Sequence, residues 1–260
     1  MDNKMRKLVN KKGQMTIFVI IAIVIVAILI ILFVFRKNVE KPIDFNEGSN
    51  SVPFVEGCAR DSAKEALDLM LPQGGFVNPK NYISYNHINI TYLCENVGYF
   101  EPCVNQHPVF LNEIRDEIYD YSYNDIDECF LSFKDEMESK NKQVEIGEMN
   151  LSYELAPNRV KIKIDRNMKI TDGDKISNLN NFEVEIMHPV YELANVANEI
   201  ASQEAKYCYF EYVGYMLTYP QFTIAENTLS DSTKIYSIKD NKSGKELNIA
   251  TRGCAIPAGI

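Results

Sequence analysis

Four side chains near the middle of the chain could ligate a metal: His87, Cys94, Cys103 and His107. Tetrahedral zinc accepts two imidazoles and two thiolates, but such sites hold their cysteines in a tight knuckle. Here the gaps are six, eight and three residues, so a disulfide closing the loop between Cys94 and Cys103 is the expected use of that pair. Asp172-Gly173-Asp174 offers hard oxygen ligands at alternate positions, as calcium loops do. A third acidic position is missing, and Glu183, where an EF-hand would carry its bidentate glutamate, falls in a strand pattern. A hairpin turn is the expected reading. No metal is expected at either place.

Nucleophilic chemistry has even less to work with. The chain lacks a Gly-x-Ser-x-Gly elbow, a His-Glu-x-x-His pair and a glycine-rich phosphate loop. Gln73-Gly74-Gly75 reads as a helix stop without a phosphate-binding lysine. His188 stands before Pro189 at a strand-to-helix junction, where a capping or packing role is expected. No catalytic residue and no cofactor are assigned, and the chain is not expected to be an enzyme. A net charge of −9 excludes a nucleic-acid partner, which would need a basic face to meet phosphates.

The six cysteines, Cys58, Cys94, Cys103, Cys129, Cys208 and Cys254, form an even set that reads as up to three disulfides in an oxidising compartment. Sequence cannot choose among the pairings. The expected bridges are Cys94–Cys103 across a short turn-rich loop, Cys58–Cys129 because both lie on apolar helix faces, and Cys208–Cys254 from what remains.

The elements that must position these residues follow from periodicity. Phe54, Val55, Cys58, Ala59, Ser62, Ala66, Leu69 and Met70 share one helical face, and Pro72 with Gly74-Gly75 ends that helix. Residues 76–108 are rich in loops, with a short strand around His87 to Leu93. Pro108 opens a helix through Phe110, Leu111, Ile114, Ile118 and Tyr121, and a second helical piece runs from Asn124 to about Lys140. The period then changes to two: Val144 and Ile146; Leu151, Tyr153 and Leu155; Val160, Ile162 and Ile164; Phe182, Val184 and Ile186. Pro157-Asn158 and Asp172-Gly173 supply turns. A helix from Pro189 presents Val190, Leu193, Ala194, Ala197, Ile200 and Ala201, and strands near Lys234–Lys239 and Leu247–Arg252 close the chain. The fold class is α+β, with helices packed on an antiparallel sheet. Residues 54–260 form the domain, with 54–140 mainly helix and loop and 141–260 sheet plus helix.

Ahead of this domain stands an apolar run, Met15 to Phe35, of 21 residues. As a helix it would reach about 31 Å, enough to cross a bilayer core. Five cations against Asp2 give residues 1–13 a charge of +4, which predicts a cytoplasmic leader. A transmembrane helix over 14–36, a Pro- and Gly-containing linker over 37–53 and an extracellular domain follow. Lys11-Lys12-Gly13-Gln14 before the apolar run resembles the class III signal of archaeal type IV pilin-like precursors. That resemblance implies cleavage between Gly13 and Gln14 by a prepilin-type peptidase. Phe18 departs from the glutamate that many pilins carry there, and Pro42 interrupts the long stalk a pilin would have. The wider order is similar to a group of single-span surface proteins of small-genome archaea: a signal, a span, a cysteine-bearing helix, Gln73-Gly74-Gly75-Phe76, a sheet, and a helix opening Pro189-Val190-Tyr191. The expected function is that of a single-pass protein of the cell membrane, with a binding or structural role at the envelope. Its partners would be the lipid bilayer, the peptidase and a surface protein or envelope component. The alternative is a pilin-like subunit assembling through its N-terminal helix.

Overall fold

Small residues at helical spacing begin the fold. In a computed structural model, which describes residues 51–96, 98 and 101–253, helix α1 runs Ser51–Met70. Pro53 sits in its first turn, where a missing N–H costs no hydrogen bond. Val55, Ala59, Ala63, Ala66, Leu67 and Met70 are buried, and the alanines let a second helix come close. That partner, α2, spans Phe110–Ser139. The two are tied by a Cys58–Cys129 disulfide with the Cα atoms 6.4 Å apart.

Helix α2 is one element of 30 residues, where two pieces were expected. No proline or glycine interrupts it, and Asn124, the predicted start of a second piece, faces solvent. Its buried stripe is Phe110, Ile114, Ile118, Ser122, Ile126, Phe130, Phe133 and Met137. Ser122, the one polar member, donates to the Ile118 carbonyl (2.6 Å) and shares a 2.5 Å hydrogen bond with the Tyr153 hydroxyl. Burial pushes the Tyr153 phenol up to about 12.

The strands fall into three sheets. The largest comprises β1 (Tyr82–Tyr85), β2 (Ile88–Glu95), β10 (Phe222–Thr228), β11 (Thr233–Asp240) and β12 (Glu246–Arg252), in the order β1-β2-β12-β11-β10, with the short β3 (Val104–Asn105) also on β2. A second sheet joins β5 (Asn150–Ala156), β6 (Arg159–Asp165) and β9 (Phe182–Met187). A third joins β4 (Gln143–Ile146), β7 (Met168–Asp172) and β8 (Lys175–Leu179). Asn158 (φ 57°) and Gly173 (φ 60°) turn the β5–β6 and β7–β8 hairpins in left-handed conformations, as their residue types suit. Helix α3 (Val190–Tyr207) packs on β2, β11 and β12 and also touches α2, β5 and β6. A short helix α4 (Tyr212–Thr218) leads into β10.

The sheet is not purely antiparallel: β12 runs parallel to β2. These strands are separated by most of the domain, so no tight turn dictates their relative direction. Nor is the chain described as an anchored ectodomain. The structure gives a mixed α/β domain, and among the described residues no helix is long and apolar enough to cross a membrane. The physical reason is amphipathicity: α1 and α2 carry charged residues along their exposed faces. The leader 1–13, the Gly13–Gln14 junction, the apolar run 14–36 and most of the linker 37–53 lie outside the described residues. The single-pass anchor, the likeness to class III-signal and single-span archaeal surface proteins, the envelope role, the bilayer and peptidase partnerships, the cell-membrane placement and the pilin-like alternative all need a spanning helix, and the described residues supply none.

Candidate functional site

Two glycines make the site. After α1 the chain makes one 3-10 turn, Leu71–Gln73, and then passes through Gly74 (φ 81°) and Gly75 (φ 89°). A β-carbon on Gly74 would lie 2.9 Å from Thr91, and one on Gly75 would lie 2.7 Å from the Phe110 ring. Only residues without side chains let the turn press against β2 and α2 at once. The Gly75 N–H donates to the Met70 carbonyl (2.9 Å). The Thr91 hydroxyl donates to the Gln73 carbonyl (2.8 Å), and the Gln73 amide reaches the carbonyls of Leu69 (3.0 Å) and Val77 (3.3 Å).

This turn delivers Phe76 beside His107, ring centres 4.8 Å apart, and near Phe110 at 6.2 Å. His107 is placed from the other side. The Cys94–Cys103 disulfide (Cα–Cα 5.3 Å) fastens β3 to β2. Beyond it the Gln106 N–H donates to the Leu93 carbonyl (2.8 Å), and the His107 N–H donates to the Asn105 side chain (2.8 Å). The His107 Nδ1 is hydrogen-bonded to the Glu113 carboxylate.

Between these pieces lies a groove of about 470 Å³, within the range of small-ligand sites. It is lined by the rings of Phe76 and His107 and by the carboxylates of Glu113, Asp116, Glu117 and Asp120, and among the described residues Lys80 is the one lysine or arginine lining it. The four carboxylates stand at i, i+3, i+4 and i+7, and so share one face of α2. Glu117 accepts the Val77 N–H (3.1 Å), and Asp116 takes the neighbouring Arg115 (2.9 Å). Like charges one turn apart disfavour a helix by about 0.2–0.5 kcal/mol per pair. A cation in the groove would reverse that sign.

The residues singled out from sequence are dispersed. Cys94 and Cys103 are bonded to each other, so their sulfurs do not stand as zinc thiolates. His107 lines the groove, whereas His87 sits in the β1–β2 hairpin turn with φ 67°. Asp172 and Gly173 end β7 in a turn, with Asp172 paired to Lys142 at 3.0 Å. Cys208 is disulfide-bonded, and Cys254 lies outside the described residues. Sequence reasoning missed the acidic face of α2. The available signal was the run Glu113, Asp116, Glu117 and Asp120 on a helix whose other face was already assigned to the core. No family model, no curated protein and no solved structure matches this chain.

Proposed function

We propose that this domain is a binding module, not a catalyst, and that its groove takes a cationic ligand bearing ammonium or guanidinium groups. The observation that carries the reading is the groove lining: four carboxylates and two aromatic rings, with one lysine among the described residues. Carboxylates gathered on one helix face attract a cation by their summed charge, and an aromatic face adds to that attraction. His107 and Glu113 are engaged with each other, and Glu117 is engaged with the backbone of the Phe76 loop. Asp116, held by its sequence neighbour Arg115, and Asp120 are both exposed on the same helix face, so these two are the carboxylates that a ligand reaches.

Calorimetric titration with spermidine and with a short arginine-rich peptide tests this, using a glutamate-rich peptide as control. Both cations should bind at low salt, weaken as salt is raised, and lose most of their affinity in an Asp116→Asn/Asp120→Asn variant. Binding of neither cation, or equal binding of the acidic peptide, would overturn the reading.

A further inference from the structure

A second cluster lies away from the groove, under α3. Glu204, on the last turns of that helix, is fully buried, a position a carboxylate almost never takes unless partnered. Lys234 on β11 places its Nζ 2.8 and 3.1 Å from the two Glu204 oxygens and 2.9 Å from the Cys208 carbonyl. Its side chain is 16% exposed. Tyr236, two residues along the same strand and also fully buried, sits with its hydroxyl 2.5 Å from Glu204 Oε1 and 3.0 Å from Glu226 Oε2. Glu226 is directly across the β10–β11 ladder from Tyr236. The backbone at Gly253 closes the other side, so near that a β-carbon there would lie 3.2 Å from Glu204 Oε2.

An amine and a fully buried carboxyl are thus held in contact, with a second carboxyl one hydroxyl away. We propose that Lys234 and Glu204 condense after folding into an intramolecular isopeptide bond that fastens α3 to β11.

The chemistry balances without an added reagent. One proton passes from the ammonium to the Glu204 carboxylate, giving the neutral amine and neutral acid that condense. Rotation about the Glu204 Cγ–Cδ bond, a soft torsion, presents the carbonyl face to Nζ. The Nζ–Cδ bond forms, and Glu226, linked through the Tyr236 hydroxyl, accepts the surplus nitrogen proton and returns it to the departing hydroxyl. The Cδ–Oε1 bond breaks, Oε1 being the oxygen that the Tyr236 hydroxyl touches, and one water leaves. In the product the new amide N–H keeps the Cys208 carbonyl, and the Tyr236 hydroxyl keeps Glu226. Exclusion of water also protects the amide from hydrolysis.

Intact-mass measurement of the full chain, after reduction and alkylation of its cysteines, tests the bond. The wild-type chain should be one water lighter than its sequence mass, and proteolysis should yield a branched peptide joining the segments around residues 204 and 234. Lys234→Arg keeps the charge but lacks the amine nucleophile, so it should show its full sequence mass. Glu226→Gln should leave most of the chain at full mass if the relay is as described. A wild-type chain of full mass with separable peptides would overturn the proposal, and a fully linked Glu226→Gln chain would overturn the role given to Glu226.

Discussion

Replacing His188 with asparagine should flatten the acid limb of the stability profile. The ring is 6% exposed at the entry to α3. Its Nδ1 accepts the Val190 N–H at 3.1 Å, so that nitrogen must stay unprotonated, and its buried Nε2 has no hydrogen-bond partner among the described residues. Burial, with a smaller push from the Lys245 charge that Asp68 partly offsets, lowers the imidazole from 6.5 to about 4. The positive end of the α3 dipole acts in the same direction. As pH falls through 6.5 the unfolded chain takes up a proton that the folded chain refuses until about 4. Stability is therefore fully present above that window and is lost as pH falls through it. The loss reaches about 2 kcal/mol by pH 5 and about 3 kcal/mol once both states are protonated. Asparagine retains an oxygen that can accept the Val190 N–H but does not titrate. Urea denaturation at pH 7.5 and pH 5.0 should show the wild type losing about 2 kcal/mol more than His188→Asn between the two. Carboxylate protonation adds the same background to both chains and cancels in the difference. Equal losses in the two proteins would refute the argument.

Two further outcomes rest on other parts of the fold. Gly75→Ala places a β-carbon at positive φ against the Phe110 ring and should cost about 2–4 kcal/mol by chemical denaturation. Gly173→Ala, at positive φ but with nothing within 4 Å, should cost only about 1–2 kcal/mol, and equal losses would show that the Gly75 contact relaxes freely. Opening the Cys58–Cys129 bridge, which closes a separation of 71 residues, with paired serines should cost about 4 kcal/mol by loop entropy. A loss below ~1 kcal/mol would mean that the unfolded chain is already compact in this region.

Local order was legible in the sequence wherever one face of an element meets the core. The period-two pattern of Leu151 to Ile164 and Phe182 to Ile186 marks β5, β6 and β9 because each strand alternates buried and exposed residues. The Val190 to Ala201 stripe marks α3 for the corresponding helical reason. Pro157-Asn158 and Asp172-Gly173 mark turns because their residue types tolerate the backbone angles required. Gln73-Gly74-Gly75 was legible as a stop, but not as the close contact with Thr91 and Phe110 that fixes Phe76. What tertiary structure alone decided are the long-range pairings. The parallel β2–β12 register, the meeting of Phe76 with His107, and the burial of Glu204 beside Lys234 each join residues far apart in the chain. Nothing local in a carboxylate's neighbours along the chain distinguishes Glu204, fully buried, from Asp120, exposed on the groove wall. That difference is made by which surface each helix face meets once the sheets have closed.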